Sequence, residues 1–71
     1  MLEPGTALPN GAIVLDCTPC GSEAIVLCIW PGHLMPFVTW RINPNRLDST
    51  WLGNYHTSLA EAVPAYERRA K

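Results

Sequence analysis

Turn-forming residues recur so often along this chain that only its last segment leaves room for a long helix. Pro9-Asn10-Gly11, residues 17–22, Pro31-Gly32 and Asn43-Pro44-Asn45 cut residues 1–56 into short pieces. Asn-Gly accepts the positive φ of a tight hairpin turn, and Pro-Gly suits the centre of a type II turn. Seven prolines and five glycines are too many for a helical bundle or a coiled coil. The pieces between the turns, residues 12–15, 24–30, 37–42 and 50–55, are apolar, aromatic or β-branched, which reads as strand.

The period changes after residue 57. Ser58-Leu59-Ala60-Glu61 forms a capping box, in which serine and glutamate each satisfy a backbone N–H at a helix start. Leu59, Val63, Tyr66 and Ala70 recur at helical spacing and predict one apolar stripe. Pro64 lies inside this stretch, where it removes one internal hydrogen bond, so a kink or a frayed first turn is expected.

The expected fold is α+β, a three- or four-stranded antiparallel β-meander with one C-terminal helix packed on it. An SH3-like small barrel plus a helix is the alternative. Seventy-one residues make a single domain, 1–71, with an N-terminal arm (1–11), an antiparallel sheet (12–56) and a C-terminal helix (58–70). A chain this short hides only roughly 60% of the surface it exposes when unfolded, so its core is thin.

One strand does not fit a sheet with a single covered face. Such a sheet alternates apolar and polar residues. Here Ile25, Leu27 and Ile29 point one way and Val26, Cys28 and Trp30 the other, and both sets are apolar. Ile13 and Leu15 are likewise opposed by Ala12 and Val14. One helix cannot cover both faces. The second is expected to close into a barrel, to meet a second copy in a homodimer, or to meet a different protein.

Charge narrows the partners. The formal net charge is −1, which argues against nucleic acid as a partner. Residues 1–40 carry Glu3, Asp16 and Glu23 and no Lys or Arg, while Arg41, Arg46, Arg68, Arg69 and Lys71 all follow. The basic residues at 68, 69 and 71 suit a helix C-terminus, where positive charge is favoured. With Arg41 the first basic residue, the charged start of a secretory signal is missing, and three cysteines is an odd number for a disulfide-stapled module. A cytoplasmic location is therefore expected. No apolar run approaches the ~18 residues of a spanning helix, so no membrane partner is expected.

The candidate chemistry is sparse. Cys17, Cys20, Cys28 and His33 are of zinc-ligand type. If residues 17–22 form the hairpin turn, Cys17 lies across from residue 23 or 24, and Cys28 falls roughly 13 Å away at ~3.3 Å per residue. Zinc–sulfur bonds of ~2.3 Å cannot span that. Cys17-Thr18-Pro19-Cys20 also suggests thiol–disulfide exchange, but a strand follows rather than the helix whose N-terminus activates such a thiol. His33 and His56 are the general-base candidates, and Asp48, Ser49 and Thr50 form no recognisable catalytic set with them. Gly32 and Gly53 are isolated, so there is no phosphate-binding glycine loop. No catalytic residue, metal site or cofactor is assigned.

The aromatic residues remain. Trp30, Trp40, Trp51 and Tyr55 fall in or beside the strands, with Arg41 among them. Trp, Tyr and Arg are favoured anchors of protein interfaces, so these five are the candidate interaction surface. Base stacking on exposed aromatics is the competing use of such a sheet.

Residues 51–63, with Tyr66 and Arg68, resemble the endings of short orphan proteins of bacteriophages and mobile elements. These endings have a last strand with an aromatic-Gly-x-Tyr pattern and then a capped amphipathic helix. The resemblance covers the last third of the chain. It implies a small accessory protein that binds and modulates a host complex, and it supplies no catalytic residues. The expected function is thus a non-enzymatic protein-interaction module. A weak single-stranded nucleic-acid binder of the small-barrel kind and a cysteine-based zinc or redox protein are the alternatives.

Overall fold

The computed structural model describes residues 2–70. Four strands, β1 (Ile13–Cys20), β2 (Glu23–Ile29), β3 (Phe37–Asn43) and β4 (Arg46–His56), precede one helix, α1 (Leu59–Ala70). The strands form an open antiparallel meander in the order β1-β2-β3-β4, and α1 packs across one face. The fold is α+β, with an open sheet in place of the alternative barrel.

Two boundaries differ from the sequence expectation by more than one residue. Residues 17–20 belong to β1, and the turn shrinks to Gly21-Ser22, with Cys20 opposite Glu23 and Gly21 at φ +65°. Pro19, which lacks an N–H, is tolerated because β1 is an edge strand of the four-stranded sheet. The last strand starts at Arg46 rather than at residue 50, because Pro44-Asn45 alone turns the chain. Asn43 helps, its Oδ1 accepting from the Asn45 N–H at 2.9 Å.

The helix begins after Ser58, whose Oγ accepts from the Glu61 N–H at 3.3 Å. The reciprocal half of the capping box is redirected, with the Glu61 carboxylate accepting instead from Thr57 Oγ1 at 3.2 Å. α1 continues through Pro64 to Ala70. Its buried residues are Ala62, Ala65 and Tyr66, and Leu59 is exposed, so the docked face is rotated from the predicted stripe. Alanines at the contact allow the helix axis to come close to the sheet. Tyr66 anchors it, sharing a 2.6 Å hydrogen bond with Thr18 of β1.

The apolar second face is covered within the chain. Leu2 and Leu8 of the arm join Ala12, Val14, Ala24, Val26, Cys28, Val38, Trp40 and Ile42 in one cluster, while Ile25 and Leu27 pack with Ala62 and Tyr66 on the other face. The arm is held by backbone bonds. Gly5 N–H donates to Val14 O (2.7 Å), Val14 N–H to Thr6 O (2.9 Å) and Leu8 N–H to Ala12 O (2.8 Å). Neither barrel closure nor a second copy is needed to bury β2 on both sides. The arm itself is not a strand; among the described residues it makes a single bridge, Ala7 to Ile13.

Candidate functional site

Strand register divides the five predicted surface residues between the two faces. Trp40 lies on the arm face with Val38 and Ile42, whereas Arg41 lies on the helix face opposite Trp51. Tyr55 pairs with Val38 and so also faces the arm side. The register slips between Thr39 and Arg41, where Trp40 stands against both Leu52 and Gly53. That bulge changes the parity of β4, so Trp51 and Tyr55 point to opposite faces.

On the arm side the aromatic residues pack mainly on each other. Trp30 meets Trp40 edge-on at 5.1 Å between ring centroids and lies near-parallel to Tyr55 at 6.5 Å. Its indole N–H donates to Asn10 O at 2.9 Å, and the His33 ring lies against it at 3.9 Å. Trp40 is only 4% exposed. Its indole rests on Gly53 so closely that a Cβ there would stand 2.8 Å from Nε1. Trp40 is therefore a core residue and drops out of the candidate surface.

On the helix side Glu23 organises the site. Its Oε1 accepts from Arg41 Nε at 2.6 Å, and its Oε2 accepts from Trp51 Nε1 at 3.3 Å. The Arg41 guanidinium lies 5.9 Å from the centre of the Trp51 ring, within cation–π range. Trp51 is held at edge and face, yet remains 46% exposed, and Leu52 beside it is 59% exposed.

Clefts lie on either flank of α1. One, of ≈ 230 Å³, lies on the β1 side, with Asp16 and Glu67 at an otherwise largely apolar lining that includes Leu27, Val63 and Tyr66. The other, of ≈ 330 Å³ and shallower, is lined by Leu52, Gly53, Asn54 and Arg69. Arg69 Nη1 donates to Thr39 O at 3.1 Å and to Thr39 Oγ1 at 2.9 Å.

The cysteine–histidine set is not assembled. Cys17 pairs with Val26, two residues from Cys28, so these two are diagonal neighbours on the arm face, much closer than a turn at 17–22 implies. Cys20 packs on the opposite, helix face. Among the described residues, no three His, Cys, Asp or Glu side chains gather so as to hold a metal ion, and no disulfide joins the cysteines. Burial pushes the Cys28 thiol up to about 12 and also raises Cys17, which is the reverse of an activated thiol. His56 lies at the end of β4 opposite Phe37, with its Nε2 buried and unpartnered. His33 belongs to the Trp30 cluster, so the two histidines do not meet. Ser49 Oγ is engaged locally, donating to Arg46 O and accepting from Asn43 N–H.

Glu23, Leu52, Asn54 and Arg69 were not singled out in the sequence. Glu23 opposite Arg41 becomes legible only with the strand register. Arg69 is hidden in a basic helix end. No family model, curated protein or solved structure matches this chain. No helix among the described residues is long and apolar enough to cross a membrane.

Proposed function

We propose that this protein is a non-enzymatic protein-interaction module that binds through the β4 surface centred on Trp51, with Arg41 and Leu52 beside it. The observation that carries this reading is the immobilised, half-exposed indole of Trp51. Its N–H is tied to Glu23 and its ring lies beside Arg41, while 46% of the residue stays open to a partner. Ordering a free side chain at an interface costs about 0.5–1.5 kcal/mol, and an indole already fixed avoids much of that. Trp and Arg are also the residue types that dominate measured binding energies. A small accessory protein that docks on a larger complex fits this arrangement.

The test is selection of displayed peptides on immobilised protein, in parallel with Trp51→Ala. Sequences enriched on the wild type are expected to bind the variant at least tenfold more weakly, with the circular dichroism spectrum unchanged. Equal binding to both, or no enrichment on the wild type, would remove Trp51 from the surface.

A further inference from the structure

We propose that the cleft between β4 and the C-terminal half of α1 is a carboxylate-binding site, in which Arg69 and Asn54 receive an acidic side chain of the partner. It rests on the interaction reading above for the source of the carboxylate, but the site itself stands on separate observations.

Arg69 is half-buried and has no carboxylate partner among the described residues. Its hydrogen bonds go to two neutral acceptors on Thr39, both from Nη1. The ion pairs among the described residues are Arg41 with Glu23 and Arg46 with Asp48, and none of these residues' carboxylates lies within 4.0 Å of Arg69. Burying a charge without a partner is costly, so an incoming anion gains more here than at an exposed arginine. Burial and the nearby charge of Arg41 both lower the pKa of Arg69, which reports the same unfavourable surroundings.

The donors that remain have the geometry of a carboxylate. With Nη1 bound to Thr39, Nε and Nη2 are left, and these two form one edge of the planar guanidinium. That edge matches the two oxygens of a carboxylate in a bidentate pair. Asn54 lines the same cleft, and its side-chain amide has no hydrogen-bond partner among the described residues. Among the described residues, no acidic one lines the cleft.

Charge selects carboxylate over phosphate. Arg41 is paired with Glu23, which leaves Arg69, among the described residues, as the one cation lining the cleft without a carboxylate partner. A single positive charge balances a carboxylate, whereas a phosphate monoester carries about −1.5 to −2. The cleft on the other flank of α1 carries Asp16 and Glu67 and repels both. Leu52 lines the Arg69 cleft and adjoins Trp51 in sequence, so an apolar anchor on Trp51 and an acidic neighbour are read together.

The experiment is an NMR titration of the full chain with sodium acetate and, separately, with inorganic phosphate, each at ionic strength held constant with chloride. The backbone amides of Gly53 and Asn54, the Asn54 side-chain amide and the Arg69 Nε–H are followed. Acetate is expected to produce saturable shifts at these groups and to bind more tightly than phosphate. Asn54→Asp, which places a carboxylate of nearly the same size in the cleft, is expected to weaken acetate at least tenfold and to raise the melting temperature. Arg68→Gln, at an exposed position, is expected to leave the acetate titration unchanged. Linear shifts spread equally over Arg68 and Arg69, or saturation by phosphate alone, would overturn the site. Because no partner enters this titration, its failure would leave the Trp51 result intact, and the reverse also holds.

Discussion

The guanidinium of Arg69, in the last turn of α1, reaches Thr39 in the middle of β3, where one nitrogen bonds the carbonyl oxygen at 3.1 Å and the hydroxyl at 2.9 Å. Thr39 is fully buried and is the last β3 residue in register before the slip against β4. The helix thus supplies a charged donor where the sheet ladder is irregular. Hydrogen bonds to charged groups contribute about 1.5–3 kcal/mol. Arg69→Met, which keeps much of the stem, is expected to lower stability by about 2 kcal/mol in urea denaturation, within that range. A loss no larger than that of Arg68→Met would show that the contact does not hold the helix.

Gly53 is required by the approach of Trp40 rather than by its own backbone angles. A Cβ would stand 2.8 Å from Nε1 and 3.0 Å from Cδ1 of an indole also packed by Trp30 and Tyr55. Overpacking of this kind costs about 1–3 kcal/mol. Gly53→Ala is therefore expected to lower the melting temperature and to alter the near-ultraviolet circular dichroism of the tryptophan cluster. An unchanged spectrum and midpoint would mean that Trp40 can move aside freely.

Leu52 opposes stability and recognition. It is the one non-glycine among the described residues with positive φ, +53°, and it is 59% exposed. A left-handed conformation costs an ordinary residue about 1–2 kcal/mol, and glycine avoids that at the expense of chain entropy. Leu52→Gly is expected to stabilise the fold by about 0.5 kcal/mol after that offset and to weaken peptides selected on the Trp51 surface. Stabilisation without loss of binding would exclude Leu52 from the interface.

The fold should be sensitive to alkali. The Cys28 thiol is pushed up to about 12 from 9.0, chiefly by burial. A raised folded pKa means that the stabilisation is fully present below pH 9, where folded and unfolded chains are both protonated, and is lost as pH rises from 9 towards 12. Cys17 and Tyr66 are raised too, first by burial, and act in the same direction. Urea midpoints are expected to fall across this window, and Cys28→Ala should make the fall shallower while lowering stability at neutral pH. An identical slope in the variant would assign the alkaline transition to other groups.

Local rules carried much of the fold. Asn10-Gly11 and Pro31-Gly32 mark turns wherever they stand, and Ser58 with Glu61 marks a helix start, because each acts through its own backbone neighbours. Strict alternation holds along β3, with Phe37 packing on the helix side and Val38, Trp40 and Ile42 on the arm side. The sequence by itself therefore determined the order and type of the elements, with three or four strands left open. It also determined that β2 must be covered twice.

Tertiary structure decided what covers the second face and where the candidate site lies. The arm's Leu2 and Leu8 take the place expected for a barrel wall or a second copy, a docking between segments distant from β3 in sequence. Trp51 and Tyr55 are an even number of residues apart and would share a face in a regular strand. The register slip at Leu52-Gly53 separates them, sending Trp51 to Glu23 and Arg41, and Tyr55 to Trp30 and Trp40. Arg69 acquires its acceptors from β3 and its cleft from β4 only when α1 lies down across the sheet. Side-chain period is a local property, whereas bulges and helix docking are settled by packing between segments far apart in the chain, so no window of sequence contains them.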